Sequence, residues 1–274
     1  MSTPLSLVPG GLHPPPAGTG AAPDATTIGP WRPVAGKLHS WDISTGVDGP
    51  GTRFVAFTAG CPLRCLYCQN LDSWRMREGT PTTAGELVDR VAGYRRFIEV
   101  AGGGFTVSGG EPLLQPAFTR ALLTGVKELG LHTALDTSGF LGARADDALL
   151  AATDLVLLDI KSWDRSLYRR LTGADLGPTL TFARRLAELG KPVWLRYVLV
   201  PGLTDPVDNV AGVAAFAATL GNVERVDVLP FHRLGAGKYE RLGLRFPLSD
   251  VAPPDAVLLT RVRRQFTDVG LAAV

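Results

Sequence analysis

The chain has 274 residues, 45% hydrophobic and 20% charged, with a formal net charge of +2. That length suits one large domain or two small ones, and the near-neutral balance argues against a protein that coats nucleic acid. Its three cysteines all fall between positions 61 and 68, whereas a secreted disulfide framework uses an even number spread out to close loops, so a reducing cytoplasm is expected.

Residues 1–32 are rich in Pro, Gly, Ala and Thr. They lack the basic start and continuous apolar stretch of a signal peptide. Too few apolar residues are present to offset the entropy of ordering, so a disordered extension is expected there, with only Trp31 docking on the body. Residues 33–274 are expected to form one domain. No membrane span is expected, because the longest apolar runs, such as "AGVAAFAATL" and "DLVLLDI", fall well short of roughly 20 residues.

From Lys37 onward two patterns alternate. Short apolar runs rich in β-formers appear as "RFVAFTAG", "GGFTVSGG", "HTALDTSGF", "DLVLLDIK", "KPVWLRYVLVPG" and "VERVDVLPFH". Between them lie stretches with helical spacing: "TAGELVDRVAGYRRFIEVA", "PAFTRALLTGVKELG", "LTFARRLAELG" and "VDNVAGVAAFAATLG". Thr83 followed by Glu86 fits a capping box, and several helical stretches end in the glycine of a left-handed cap. "PPDAVLLTRVRRQFTDVG" reads as a closing helix. Strands apolar on both faces and joined by crossover helices mean a parallel α/β sheet of about six strands, either doubly wound or a partial barrel. Polar residues fall at the C-terminal ends of these strands, the edge where such folds bind ligands. Arg196 is the exception, inside the fifth run.

The cysteines are spaced C-x3-C-x2-C, in "GCPLRCLYCQN". Thiolates select zinc, copper(I) or iron–sulfur clusters. A structural zinc site needs a fourth ligand, which here could only be His13, His39, His132 or His232. A thioredoxin-like pair would use "CLYC" and leave Cys61 without a role. The remaining reading is a [4Fe–4S] cluster on Cys61, Cys65 and Cys68. Such clusters normally take four thiolates, so a third-only set leaves one iron open to a ligand.

The same spacing after a first barrel strand, with Tyr67 just before the last cysteine, resembles the radical S-adenosylmethionine superfamily. "LHSWDISTGVDGPGTRFVAFTAGCPLRCLYCQN", "GGGFTVSGGEPLLQ", "LHTALDTSGF", "TDLVLLDIK", "VWLRYVLVPG" and "GNVERVDVLPFHRLG" extend the resemblance, in order, to the activases of pyruvate formate-lyase. It implies a partial, open β/α barrel with outer helices. It also implies reductive cleavage of S-adenosylmethionine to a 5′-deoxyadenosyl radical that abstracts a glycine Cα hydrogen from the lyase. Flavodoxin or ferredoxin would be the electron donor, and the protein would act as a monomer. The resemblance further implies that Tyr67, Gly109, Gly110, Glu111, Lys161 and His232 meet S-adenosylmethionine. Asp136, Thr137 and Asp159 would ligate Na+ or K+, with the backbone at Leu157, and Asp48 and Arg196 would hold the glycine-loop peptide. Gln69 stands where relatives often carry His. The lack of cysteines outside 61–68 argues against an inserted ferredoxin-like segment. Two other functions compete: a radical enzyme acting on a small molecule, and a non-catalytic zinc module.

Overall fold

Eight strands form one sheet in the computed structural model, which describes residues 29–274. They are β1 (Ala35–Thr45), β2 (Thr52–Thr58), β3 (Thr80–Thr83), β4 (Gly104–Gly109), β5 (His132–Thr137), β6 (Leu155–Asp159), β7 (Val193–Leu199) and β8 (Val223–Pro230). Their spatial order is β3-β1-β2-β4-β5-β6-β7-β8, and the two ends do not meet. The sheet is thus an open arc. β2 and β4 to β8 pair in parallel, and these are the six runs read from the sequence.

β1 and β3 were not foreseen. β1 pairs antiparallel with both β2 and β3, and its register shifts between Leu38 and Ser40. An extra residue at such a bulge breaks the period-two alternation by which a strand is read.

Helices α1 (Ala84–Val100), α2 (Pro116–Glu128), α3 (Asp147–Ala151), α4 (Arg165–Thr172), α5 (Gly177–Glu188), α6 (Val207–Ala218), α7 (Ala236–Arg241) and α8 (Ala256–Thr267) complete the fold. The capping box is present at α1, where Thr83 and Glu86 exchange hydrogen bonds. Gly130 and Gly190 take the expected positive φ after α2 and α5.

The strands are not apolar on both faces in the same way. In β7, Val193, Leu195, Tyr197 and Leu199 are buried in the main core, while Trp194, Arg196 and Val198 point to the opposite, concave face and stay half-buried. Thr106 and Ser108 of β4 and Asp136 of β5 share that concave face. At its N-terminal end lies Arg53, with no solvent exposure. Its Nε donates to Thr106 Oγ1 at 2.6 Å, and its Nη atoms donate to the carbonyls of Pro50 (3.2 Å), Phe105 (2.5 Å) and His132 (3.3 Å). Arg53 thereby closes the floor of the arc and braces the 46–51 turn that carries Asp48.

At the β8 edge the chain end adds a further partner. Val226 and Val228 donate to the carbonyls of Ala272 and Val274 at 2.7 and 3.0 Å, so the strand does not present a bare edge.

Trp31 is buried and its indole N–H donates to Glu128 at 2.9 Å. Arg32 pairs with Asp89 at 2.5 Å, so both residues belong to the body. The expectation for residues 1–28 lies outside the described residues. No described helix is long and apolar enough to cross a membrane.

Candidate functional site

The cysteines lie on the loop between β2 and β3. Backbone bonds fix this loop to three neighbours. Gly60 and Cys61 donate to the carbonyls of Ser73 and Trp74 at 2.7 and 3.0 Å, Glu111 N–H donates to Gly60, and Arg64 and Leu66 donate to Thr172 and Leu171 at the end of α4. Cys61, Cys65 and Cys68 are free thiols on the wall of one cavity of about 270 Å³. Burial pushes the Cys61 thiol up to about 12 and Cys65 to about 11. Burial also raises Cys68, opposed by hydrogen bonds from Asn70 N–H and the Trp74 side chain. Three such thiols are neutral when empty, and a metal centre would displace their protons. Among the described residues, no three Cys, His, Asp or Glu side chains lie close enough together to hold one metal ion. His13, one candidate fourth ligand, lies outside the described residues.

The strand ends supply the opposite wall. Arg196 Nη1 pairs with Asp136 at 3.0 Å, and Ser108 Oγ donates to the same Asp136 oxygen at 2.6 Å. Burial disfavours the Arg196 charge, but Asp136, Asp159 and Asp48 outweigh it and hold the guanidinium protonated. Its Nε has no partner among the described residues. Asp159, opposite Arg196 in the β6–β7 register, pairs with Lys161 at 3.2 Å. Burial favours a neutral amine at Lys161, and Asp159 overrides it. The Lys161 ammonium stands 5.7 Å from the Tyr67 ring centre. The buried Tyr67 hydroxyl has no hydrogen-bond partner among the described residues. Two residues that line the cavity, Tyr67 and Arg196, thus each bury one polar atom without a partner among the described residues.

Gly109 and Gly110 line the cavity beside the cysteine loop. A Cβ on Gly110 would stand 2.3 Å from the Gly60 carbonyl, so only glycine allows this approach. Glu111 is turned away. It is 1% exposed, and its carboxylate accepts from Leu113 N–H, the hydroxyls of Thr137 and Ser138, and Ser138 N–H. It joins the loop after β4 to the loop after β5.

Thr137, Asp159 and His232 line the cavity with the groups above; Asp48 does not. Asp48 sits at its margin, its carbonyl accepting from Thr106 Oγ1 at 2.6 Å. Sequence reasoning missed the bond of Ser108 to Asp136, the place of Trp74 and the role of Gln69. Ser108 could have been found by phase, two residues from Thr106 on a strand that ends at the site. Nothing local marks the other two. Gln69 Nε2 donates to His232 O at 3.0 Å, and its Oε1 accepts from Gly235 N–H at 2.5 Å.

A family model described as the Radical SAM superfamily matches residues 55–212. The pyruvate formate-lyase-activating enzyme of Staphylococcus aureus is 44% identical over 231 residues, covering 81% of this chain and 91% of that protein. A domain of pyruvate-formate lyase-activating enzyme from Bacteroides vulgatus is similar in structure, with a TM-score of 0.54 and 28% identity over 63% of this chain and 98% of that one. Streptococcus suis SuiB bound to precursor peptide SuiA aligns with a TM-score of 0.62 and 18% identity, over 80% of this chain and 48% of that one, a likeness of fold alone.

Proposed function

Because the chain belongs to the radical SAM superfamily, we propose that it activates pyruvate formate-lyase by taking a Cα hydrogen from one glycine of that enzyme. The observation that carries this reading is a cavity lined by three free thiols together with Gly109, Gly110, Asp136 and Arg196. Its support is the 44% identity to an activase over most of both chains.

Cys61, Cys65 and Cys68 would hold a [4Fe–4S] cluster, with one iron left to S-adenosylmethionine. When bound, these groups supply a 5′-deoxyadenosyl radical. The chain's own task is to orient and to exclude water. Gly109 and Gly110 give S-adenosylmethionine a close backbone surface, and Glu111 braces the loop beneath it. Tyr67, Lys161 and His232 offer a ring face, an ammonium and an imidazole on the nucleoside side. Asp136, Thr137 and Asp159 would hold a Na+ or K+ ion. Arg196 and Lys161 now neutralise both carboxylates, so the ion competes with those two cations. Arg196 and Asp48 would hold the peptide that carries the reacting glycine.

A flavodoxin or ferredoxin in a reducing cytoplasm would supply the electron to a monomer of this chain. Arg64, Arg75 and Arg77 are exposed beside the cysteine loop, where positive charge speeds encounter with an acidic donor. The test is electron spin resonance after the reduced, reconstituted protein is mixed with S-adenosylmethionine and the lyase. A glycyl radical is expected from the wild type and none from Cys65→Ala. Cleavage of S-adenosylmethionine with no radical on the lyase would remove this reading in favour of a small-molecule substrate.

A further inference from the structure

The chain after β8 folds back over the cysteine loop. Gln69, next to Cys68, donates to His232 O and accepts from Gly235 N–H. Lys238 Nζ on α7 donates to Asn70 Oδ1 at 3.2 Å and Asp72 Oδ1 at 3.0 Å. Between these bonds Tyr239 is 3% exposed. Its ring meets Trp74 edge-on at 6.4 Å and packs on Phe246 at 4.9 Å, and Phe246 stacks on Phe231 at 6.2 Å. Cys65 and Cys68 pack against this aromatic group.

The cysteine loop is therefore held from two sides, by different means. On the α4 side the bonds are backbone to backbone. On the α7 side every polar bond named above uses a side chain, and those side chains belong to Gln69, Asn70, Asp72 and Lys238. A bound cluster is lost faster when the loop opens locally and frees its thiolates to water or a chelator. Local opening follows the weaker seam.

We propose that residues 232–248 form a clasp on the cysteine loop, and that Gln69 and Lys238 are positioning residues that keep it shut and so retain the cluster. This rests on the reading of Cys61, Cys65 and Cys68 as cluster ligands. The aromatic group keeps the clasp folded when a latch is removed, while the open state becomes more populated. Each latch makes hydrogen bonds whose net worth translates into about a three- to tenfold change in opening.

The test uses the full chain, reconstituted without oxygen, as wild type, Gln69→Leu, Lys238→Met, Lys238→Arg and the Gln69→Leu/Lys238→Met double variant. Iron and sulfide are counted first. A coloured ferrous chelator is then added and iron release is followed by absorbance. Each single latch variant should release iron about three- to tenfold faster than wild type, and the double variant faster still, with unchanged melting temperatures. Lys238→Arg, which keeps a donor within reach of Asn70 and Asp72, should release iron at close to the wild-type rate. Equal rates in wild type, Lys238→Met and the double variant overturn the clasp, as do equal rates in the Met and Arg variants. Should Gln69→Leu fold poorly, the half-exposed Lys238 decides alone. A wild type that takes up no iron defeats the cluster reading itself, which is a different outcome from full loading with unchanged release.

Discussion

The concave face of the sheet carries an arginine at each end, Arg53 fully buried and Arg196 half-buried, and the two are partnered in opposite ways. Arg53 at the floor spends its hydrogen bonds on three carbonyls and a hydroxyl, and burial brings its pKa down to about 10. Arg196 at the mouth has carboxylates around it, is held charged, and leaves its Nε unspent. A cation fixed by neutral backbone acceptors is a brace, because no partner can be exchanged without breaking the fold. A cation held by one carboxylate in a cavity can trade that partner for a ligand. Residue type alone does not separate the two roles; the partners do.

The largest effect on this contrast is expected from Arg53→Met. It removes the donors to the buried Phe105 carbonyl and to the part-buried carbonyls of Pro50 and His132, and the unfolding free energy in denaturant should fall by about 3–5 kcal/mol. A loss under about 1 kcal/mol would show that the floor does not depend on this brace. Arg196→Ala should act on chemistry instead. The variant should keep its iron and still cleave S-adenosylmethionine with a strong reductant, while radical transfer to the lyase drops on the order of 100-fold. Equal losses in both steps would place Arg196 in the cofactor site rather than on the peptide.

The smallest effect belongs to the rim of the floor. Asp154 accepts from Thr133 N–H and Oγ1 and pairs with Lys127. Burial raises its pKa, but the Lys127 and Thr133 hydrogen bonds outweigh that and lower it. A depressed folded pKa gives stability that is present above the unfolded value and lost as pH falls through the folded one. Asp154→Asn should therefore flatten the acid limb of the stability curve. The loss near neutral pH should be about 0.5–1 kcal/mol, since the side chain is half-buried and salt screens its pair in part. An unchanged acid limb would assign that loss of stability to other carboxylates.

The six parallel strands could be read because each is a short β-rich run bounded by turns. The cysteine site could be read because its ligands fall within eight consecutive positions. Arg53 could not, since an arginine at the head of an apolar run reads as its polar flank until its carbonyl partners in β4 and β5 are in place. Glu111 was assigned to the ligand, yet four donors within the fold claim its carboxylate. Arg196 was visible as polar within a strand, but its pairing with Asp136 depends on two strands that are not adjacent. Trp74 and Gln69 act through residues far along the chain, a relation that no local pattern carries.

That distance has a consequence in time. Gln69 waits for partners 163 and 166 residues downstream. At a synthesis rate of roughly 5–20 residues per second, the three thiols leave the ribosome on the order of 10–30 s before the residues that hold their loop. During that interval they are open to any iron, copper or oxidant nearby. Any metal that reaches the thiols in that interval meets them before residues 232–248 can cover their loop.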